Sequence, residues 1–324
     1  MTIPRTGRNA KHGGGQPWAW LLLLLLACQP HAHAGGILVV ASSGAELYSR
    51  FIEGFTSSLP GSKPGAGIPD TTVVYLDKHT LTDDDLATRK VVITVGSRAA
   101  RDVAARQADI PVLHTIIPES VFLTLAAPPA ACTMQSAIFI DQPFARQVAL
   151  AQVLFPDAVD YGVLLGPTSS QRRAEIDALK KDIDRRLVVM IANRETDIAA
   201  ASNGLLHRVD LMIAVNDPLV LNRENAKWLL YSTYQRRLPV IGFSRAYVNA
   251  GAAGAVFSEP EQMARQAAEI VQRHIASPTA CLPAAGFPRY FSVAINQSVC
   301  SSLGGVLCNE DALGELVANR EPGR

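Results

Sequence analysis

"VVITVGSRAARDVAARQADIPVLHTII" (Val91–Ile117) decides the fold class. Its opening, "VVITVG" (Val91–Gly96), is a continuous apolar run rich in β-branched residues, without the alternation of a strand that keeps one face wet. It passes directly into "SRAARDVAARQ", a helical stretch with Ser97 placed as its cap. "IPVLHTII" (Ile110–Ile117) then returns to strand character. Strand, helix and strand in immediate succession predict a parallel sheet covered on both faces.

The same rhythm extends outward. Upstream, "ILVVAS" (Ile37–Ser42) is a strand, "GAELYSRFIEGFTSSL" carries Leu47, Phe51, Phe55 and Leu59 at helical spacing, and "TTVVYL" (Thr71–Leu76) is a further strand. Downstream, prolines and small residues from Pro118 to Thr133 break the pattern. "SAIFID" (Ser136–Asp141) and the amphipathic "QPFARQVALAQVLFP", with Pro143 near its first turn, resume it. A second series follows, with strands at Tyr161–Gly166, Leu187–Ala192, Asp210–Val215 and Leu238–Phe243, and helices centred on 170–184, 197–207 and 219–235. After "AAGAVFS" a helix opens at Pro260 and Glu261 and runs to about Ile275; beyond it only "YFSVAIN" (Tyr290–Asn296) reads as a strand. Two α/β modules of similar plan result, divided near Asp141.

Composition agrees with two packed modules. The chain has 324 residues, of which 48% are hydrophobic and 18% charged, so each module can bury a core. A net charge of +1, with no basic run interleaved with aromatics, gives no reason to expect a nucleic-acid partner. At the N-terminus, Arg5, Arg8 and Lys11 precede the apolar stretch Trp18–Ala27, and Ala32 and Ala34 stand at the spacing of a cleavage site. Residues 1–34 therefore read as an export signal. "LLAC" (Leu25–Cys28) is also lipobox-like, making Cys28 a candidate for lipidation; both routes lead out of the cytoplasm. Four cysteines remain, Cys132, Cys281, Cys300 and Cys308, and an oxidising compartment permits two disulfides. Cys300 and Cys308 bracket a flexible "SSLGGVL", so a local bridge is expected there with Cys132–Cys281 by subtraction; buried free thiols are the alternative. No cysteine or histidine has metal-ligand spacing, and no cofactor is expected.

In open α/β sheets, ligands bind outside the carboxyl ends of the strands. That rule selects Ser42 and Ser43, Gly96 and Ser97, Asp141 and Gln142, Thr168 to Ser170, Arg194 to Thr196, Asn216 and Asp217, and Ser244 and Arg245. The set is polar and small, and lacks a nucleophile–base pair. "GFSRA" (Gly242–Ala246) has no second glycine for a nucleophile elbow, and "GVLLGP" has no P-loop lysine. Several positions carry a structural alternative. Arg245 can clamp a carboxylate or bridge an acidic side chain at a hinge. Asp217, ahead of Pro218, can hold a ligand amine or cap a helix. Thr168, Ser169 and Ser170 can cradle an anion or cap a helix start.

Four stretches, "SAIFIDQPFARQVALAQVLFPDAVDYGVLLGPTSSQ", "RVDLMIAVNDPLVL", "RRLPVIGFSRAYVNAGAAGAVF" and "EQMARQAAEIV", resemble the ABC transporter substrate-binding protein family of the type 1 periplasmic-binding fold. The resemblance implies two Rossmann-like lobes with parallel sheets joined by a hinge. Lobe one would take residues 36–141 plus 245–300, lobe two 142–244, and residues 301–324 would form a C-terminal tail. It also implies crossover at "SRAY" and ligand contacts at Gly96, Ser97, Asp141, Thr168, Ser169, Ser170, Asn216, Asp217, Ser244 and Arg245. The expected role is a periplasmic receptor, not an enzyme, that closes on a small polar, amino-acid-like solute and delivers it to an inner-membrane ABC permease. The alternative is a non-transport periplasmic sensor or assembly component on the same fold. A third reading, a hydrolase using Ser244, would show turnover that Ser244→Ala abolishes.

Overall fold

The computed structural model describes residues 36–59, 70–87, 89–107, 109–125, 134–277, 281–310 and 313–321. The expected export signal, Cys28 and Cys132 lie outside the described residues. Among those described, no helix is long and apolar enough to cross a membrane.

The first lobe is built on β1 (Ile37–Ala41), β2 (Thr71–Tyr75), β3 (Val91–Val95), β4 (Val112–Ile117) and β5 (Gln135–Phe139). They form a parallel sheet in the order β2-β1-β3-β4-β5. Strands β1, β3 and β4 are buried along their whole length, as the continuous apolar runs require. Helices α1 (Glu46–Ser58), α2 (Asp83–Leu86), α3 (Ser97–Ala104) and α4 (Glu119–Leu125) connect the strands. The cap expected at Ser97 falls one residue earlier. Gly96 is the N-cap, with φ of 91°, and the hydroxyl of Ser42 at the end of β1 accepts from the amide of Ala99 at 3.0 Å. A side chain at Gly96 would also stand 2.6 Å from Ser42 Oγ, so both the backbone angle and the close approach demand glycine.

After β5 the chain enters α5 (Phe144–Leu154), whose Phe144, Val148, Leu150 and Leu154 are fully buried. The second lobe follows with β6 (Asp160–Leu165), a 3-10 turn (Ser170–Arg172), α6 (Arg173–Leu179), β7 (Arg186–Ile191), α7 (Glu195–Leu206), β8 (Leu211–Ile213), α8 (Arg223–Gln235) and β9 (Val240–Gly242). Then come α9 (Arg245–Asn249), β10 (Gly254–Phe257), α10 (Pro260–Ala276), β11 (Ser292–Ile295), α11 (Gln297–Ser302) and α12 (Leu313–Arg320). The second sheet runs β11-β10-β9-β8-β6-β7, parallel except for the antiparallel edge pair β10–β11.

This sheet order redistributes the segment 245–300. "SRAY" is not a crossover: Ser244 caps α9, its hydroxyl accepting from the Tyr247 amide at 3.2 Å, and β10 pairs with β9 in the second sheet. The return to the first lobe comes later, through α10. Its Met263, Ala264, Ala267, Ala268 and Val271 share one core with Ile37, Val39, Phe51 and Phe55. Gly286 bridges Ile138 of β5, and the chain then crosses back to β11. Three passages therefore join the lobes: 140–143, 258–259 and 288–291.

The segment after 300 is structured rather than a bare tail. Cys300 and Cys308 are disulfide-bonded with Cα atoms 5.8 Å apart. Leu313 and Val317 of α12 are buried in the core that contains α5. Cys281 is also disulfide-bonded.

Candidate functional site

A small cleft opens between the carboxyl ends of the two sheets. From the first lobe it is lined by Pro118, Glu119, Ser120 and Asp141, and from the second by Thr168, Ser169, Gln171, Arg172 and Asn216. The first-lobe wall depends on an irregularity in β4. The register with β5 shifts between Thr115 and Ile117, and Ile116 takes φ of 52°, a left-handed angle rare for a β-branched residue. This bulge re-aims the chain so that Pro118 and the start of α4 face the cleft. Asp141 Oδ2 accepts from the Glu119 amide at 2.8 Å and fastens the end of β5 to α4.

Glu119 and Asp141 thus put two carboxyl groups on one wall. Burial pushes the Glu119 carboxyl above its ordinary range; Glu175 and Asp141 push the same way, and Arg172 opposes. On the facing wall Arg172 is buried and mostly engaged. Its Nε donates to Glu175 at 2.9 Å, its Nη2 donates to the Gln142 carbonyl at 2.8 Å, and its guanidinium lies 5.6 Å from the Phe287 ring centroid. Its Nη1 has no acceptor among the described residues. Glu175 is itself held by the Phe144 amide at 2.6 Å.

Of the residues selected from sequence, Asp141, Thr168, Ser169 and Asn216 meet in this cleft. Asp217 does not line it. It is fully buried, and its two oxygens accept from the amides of Ser169 (2.8 Å), Leu219 (2.9 Å) and Val220 (3.3 Å), the bonding of a turn cap. Gly166 accommodates it, since a Cβ there would stand 2.3 Å from Asp217 Oδ1. Ser170 Oγ donates to the Pro167 carbonyl at 2.9 Å. Ser42 is buried in its capping bond, and Ser43, Gly96 and Ser97 stand at the ends of β1 and β3, outside the cleft lining. Arg245 pairs with Glu259 at 3.5 Å and Glu310 at 3.9 Å. Glu259 also pairs with Arg50 of α1 at 3.2 Å, so these ion pairs tie Arg245 to the second passage, and Arg245 does not line the cleft.

Pro118, Glu119, Ser120, Gln171 and Arg172 escaped the sequence reading. The strand-end rule applied to β4 names the first three, but Pro118 drew that segment into an irregular stretch. Nothing local marks Arg172, because its burial comes from Gln142 and Phe287, both distant in sequence. Among the described residues no group of three or more metal-ligating side chains occurs.

Comparisons with known proteins accord with this architecture. Solved structures similar to the chain include an ABC domain from Streptococcus pneumonia in complex with L-Trp, with TM-score 0.56, 16% identity, and coverage of 89% of this chain and 98% of that one. A ligand-free, open substrate-binding protein with adhesive properties from Clostridium difficile has TM-score 0.67 and 17% identity, covering 86% and 97%. A conserved domain protein from Vibrio cholerae has TM-score 0.57 and 16% identity, covering 87% and 98%. These likenesses share the type 1 periplasmic-binding fold. No curated protein matches the chain by sequence. The sequence model described as ABC transporter substrate binding protein matches residues 80–310, well over half of the chain. With two lobes, a cleft between them and that match, the chain belongs to the ABC transporter substrate-binding proteins, non-catalytic extracytoplasmic receptors that bind a small molecule for an ABC importer.

Proposed function

We propose that the solute is an amino-acid-like zwitterion, gripped by hinge closure in the interlobe cleft and handed to a cognate inner-membrane permease. One observation carries this reading: the cleft presents carboxyl groups on one lobe, Glu119 and Asp141, and a guanidinium on the other, Arg172. Two carboxylates suit an ammonium, and the uncommitted Nη1 of Arg172 suits a carboxylate. Thr168, Gln171 and Asn216 add neutral hydrogen-bonding groups. Because the complementary charges lie on opposite lobes, only the closed form satisfies both ends of the solute, so binding drives closure. The complex of the similar streptococcal protein with L-Trp points to the same ligand class.

A thermal-shift screen of the mature protein against amino acids, sugars and nucleosides tests the proposal. At a hundredfold excess over Kd, a true solute stabilises the fold by about 2.7 kcal/mol. Amino acids are expected to raise Tm, and Glu119→Gln is expected to weaken that binding by about tenfold or more, equivalent to ~1.4 kcal/mol. A response confined to sugars or nucleosides, or an unchanged affinity in Glu119→Gln, overturns the zwitterion assignment.

A further inference from the structure

One hydrogen-bonded network around a buried side chain, Arg146 in the first turn of α5, links the three passages between the lobes. Its Nη1 donates to Gln142 Oε1 at 2.6 Å, on the first passage, and to the Pro288 carbonyl at 3.0 Å, on the third. Gln142 Nε2 donates to Ser258 Oγ at 2.9 Å, on the second passage, and Ser258 Oγ donates to the Tyr290 carbonyl at 2.6 Å, back on the third. The Phe291 ring centroid lies 4.2 Å from the Arg146 guanidinium. The Gln142 carbonyl holds Arg172 in the cleft wall at 2.8 Å.

The charge at this junction is balanced from the far end of the chain. Glu321, just after α12, takes Arg146 in a two-point pair, with Nε–Oε2 at 3.0 Å and Nη2–Oε1 at 3.2 Å. Both side chains are nearly sealed, at 5% and 9% exposure. The helix that delivers Glu321 is anchored through buried Leu313 and Val317, and Arg320 reaches the Gln152 carbonyl of α5 at 3.4 Å. Residues 311–324 lie beyond the region matched by the family model, so this anchorage is a feature of the chain outside that match.

We propose that Glu321 is a positioning residue for solute binding: through Arg146 and Gln142 it fixes the three passages and the placement of Arg172. The inference rests on the reading of the interlobe cleft as the binding site. Removing the carboxylate takes a two-point, nearly sealed acceptor away from the Arg146 guanidinium, which is more disruptive than the loss of an exposed pair. Without the two-point hold the Arg146 fork loses its fixed orientation, which loosens its bonds to Gln142 and Pro288 and with them the links among the passages. Neither lobe core loses a side chain, so the disturbance concentrates at the hinge.

Amide hydrogen exchange on the full mature chain, without any solute, tests this and stands apart from the identity of the ligand. In Glu321→Gln, amides of 140–142, 258–259, 289–291 and the 168–172 turn are expected to exchange at least tenfold faster, while those of β1, β3, β6 and β8 keep their rates. Glu321→Asp, which retains the charge, is expected to recover most of the protection. Unchanged rates at the passages, or an equal acceleration of passages and core strands, overturns the proposal. Should Glu321→Gln fail to fold, Arg146→Lys keeps the cation, loses the two-point fork and is read at the same amides by the same criteria.

Discussion

His114 stands on β4 with no exposed surface; its Nδ1 shares a 2.8 Å hydrogen bond with the Thr94 hydroxyl, and its Nε2 has no partner among the described residues. Burial lowers its pKa from 6.5 to about 4, with neighbouring Gln135 opposing the shift. The folded protein therefore resists a proton that the unfolded chain accepts near pH 6.5. The stability this confers is full above pH 6.5 and is lost as pH falls toward 4, a change on the order of 3 kcal/mol. Urea unfolding at several pH values is expected to show that slope in the parent and a much smaller one in His114→Leu. An NMR titration should find the imidazole neutral until close to pH 4.

Among the elements, the turns after β6 and β8 are fastened by one carboxylate. Asp217 accepts the Ser169 amide from the first turn and two amides from its own. Asp217→Ala leaves those buried donors unsatisfied, an expected cost of about 2–4 kcal/mol in denaturant unfolding. Asp217→Asn, which keeps an acceptor, is expected to lose less. Elements of this kind also show how far sequence reaches. Most strands of both sheets were legible because doubly covered parallel strands must be apolar throughout, and β1, β3 and β6 announce this in "ILVVA", "VVITV" and "YGVLL". Asp217 was legible as a cap because Asp before Pro favours such a turn. Helix α4 was not, since its seven residues sit directly behind Pro118 and ahead of further prolines. Nor was β10: "GAVF" sits in a run of alanine and glycine that gives no strand signal of its own, and only its pairing with Ile241 and Gly242 assigns it to the second sheet. Arg172 stayed hidden for the same reason, as its surroundings are assembled from segments far apart along the chain.

At the scale of the whole molecule, the passages at 140–143, 258–259 and 288–291 are the places where one lobe can turn against the other. The sheets themselves are internally hydrogen-bonded, and their central strands are buried. Adding an amino-acid solute is therefore expected to slow exchange at Glu119, Ser120 and the 168–172 turn, and to alter it at the passages. The central amides of β1, β3, β6 and β8 should stay as they are. Protection spread evenly over both sheets would instead indicate general tightening without closure.

The shared core of α1 and α10 governs how the protein reaches this state. Strand β1 opens the first lobe, yet the core that Ile37 and Val39 join is completed by Met263, Ala264, Ala267 and Ala268, more than two hundred residues later. Contacts at such separation carry a high loop-closure cost and slow the folding reaction. A nascent chain ending near residue 141 has every strand of the first sheet but lacks the helix that shields it, and must be kept from sticking to its neighbours while the second lobe is made. Folding thus finishes the first lobe only after most of the second, and the order of synthesis is not the order of completion.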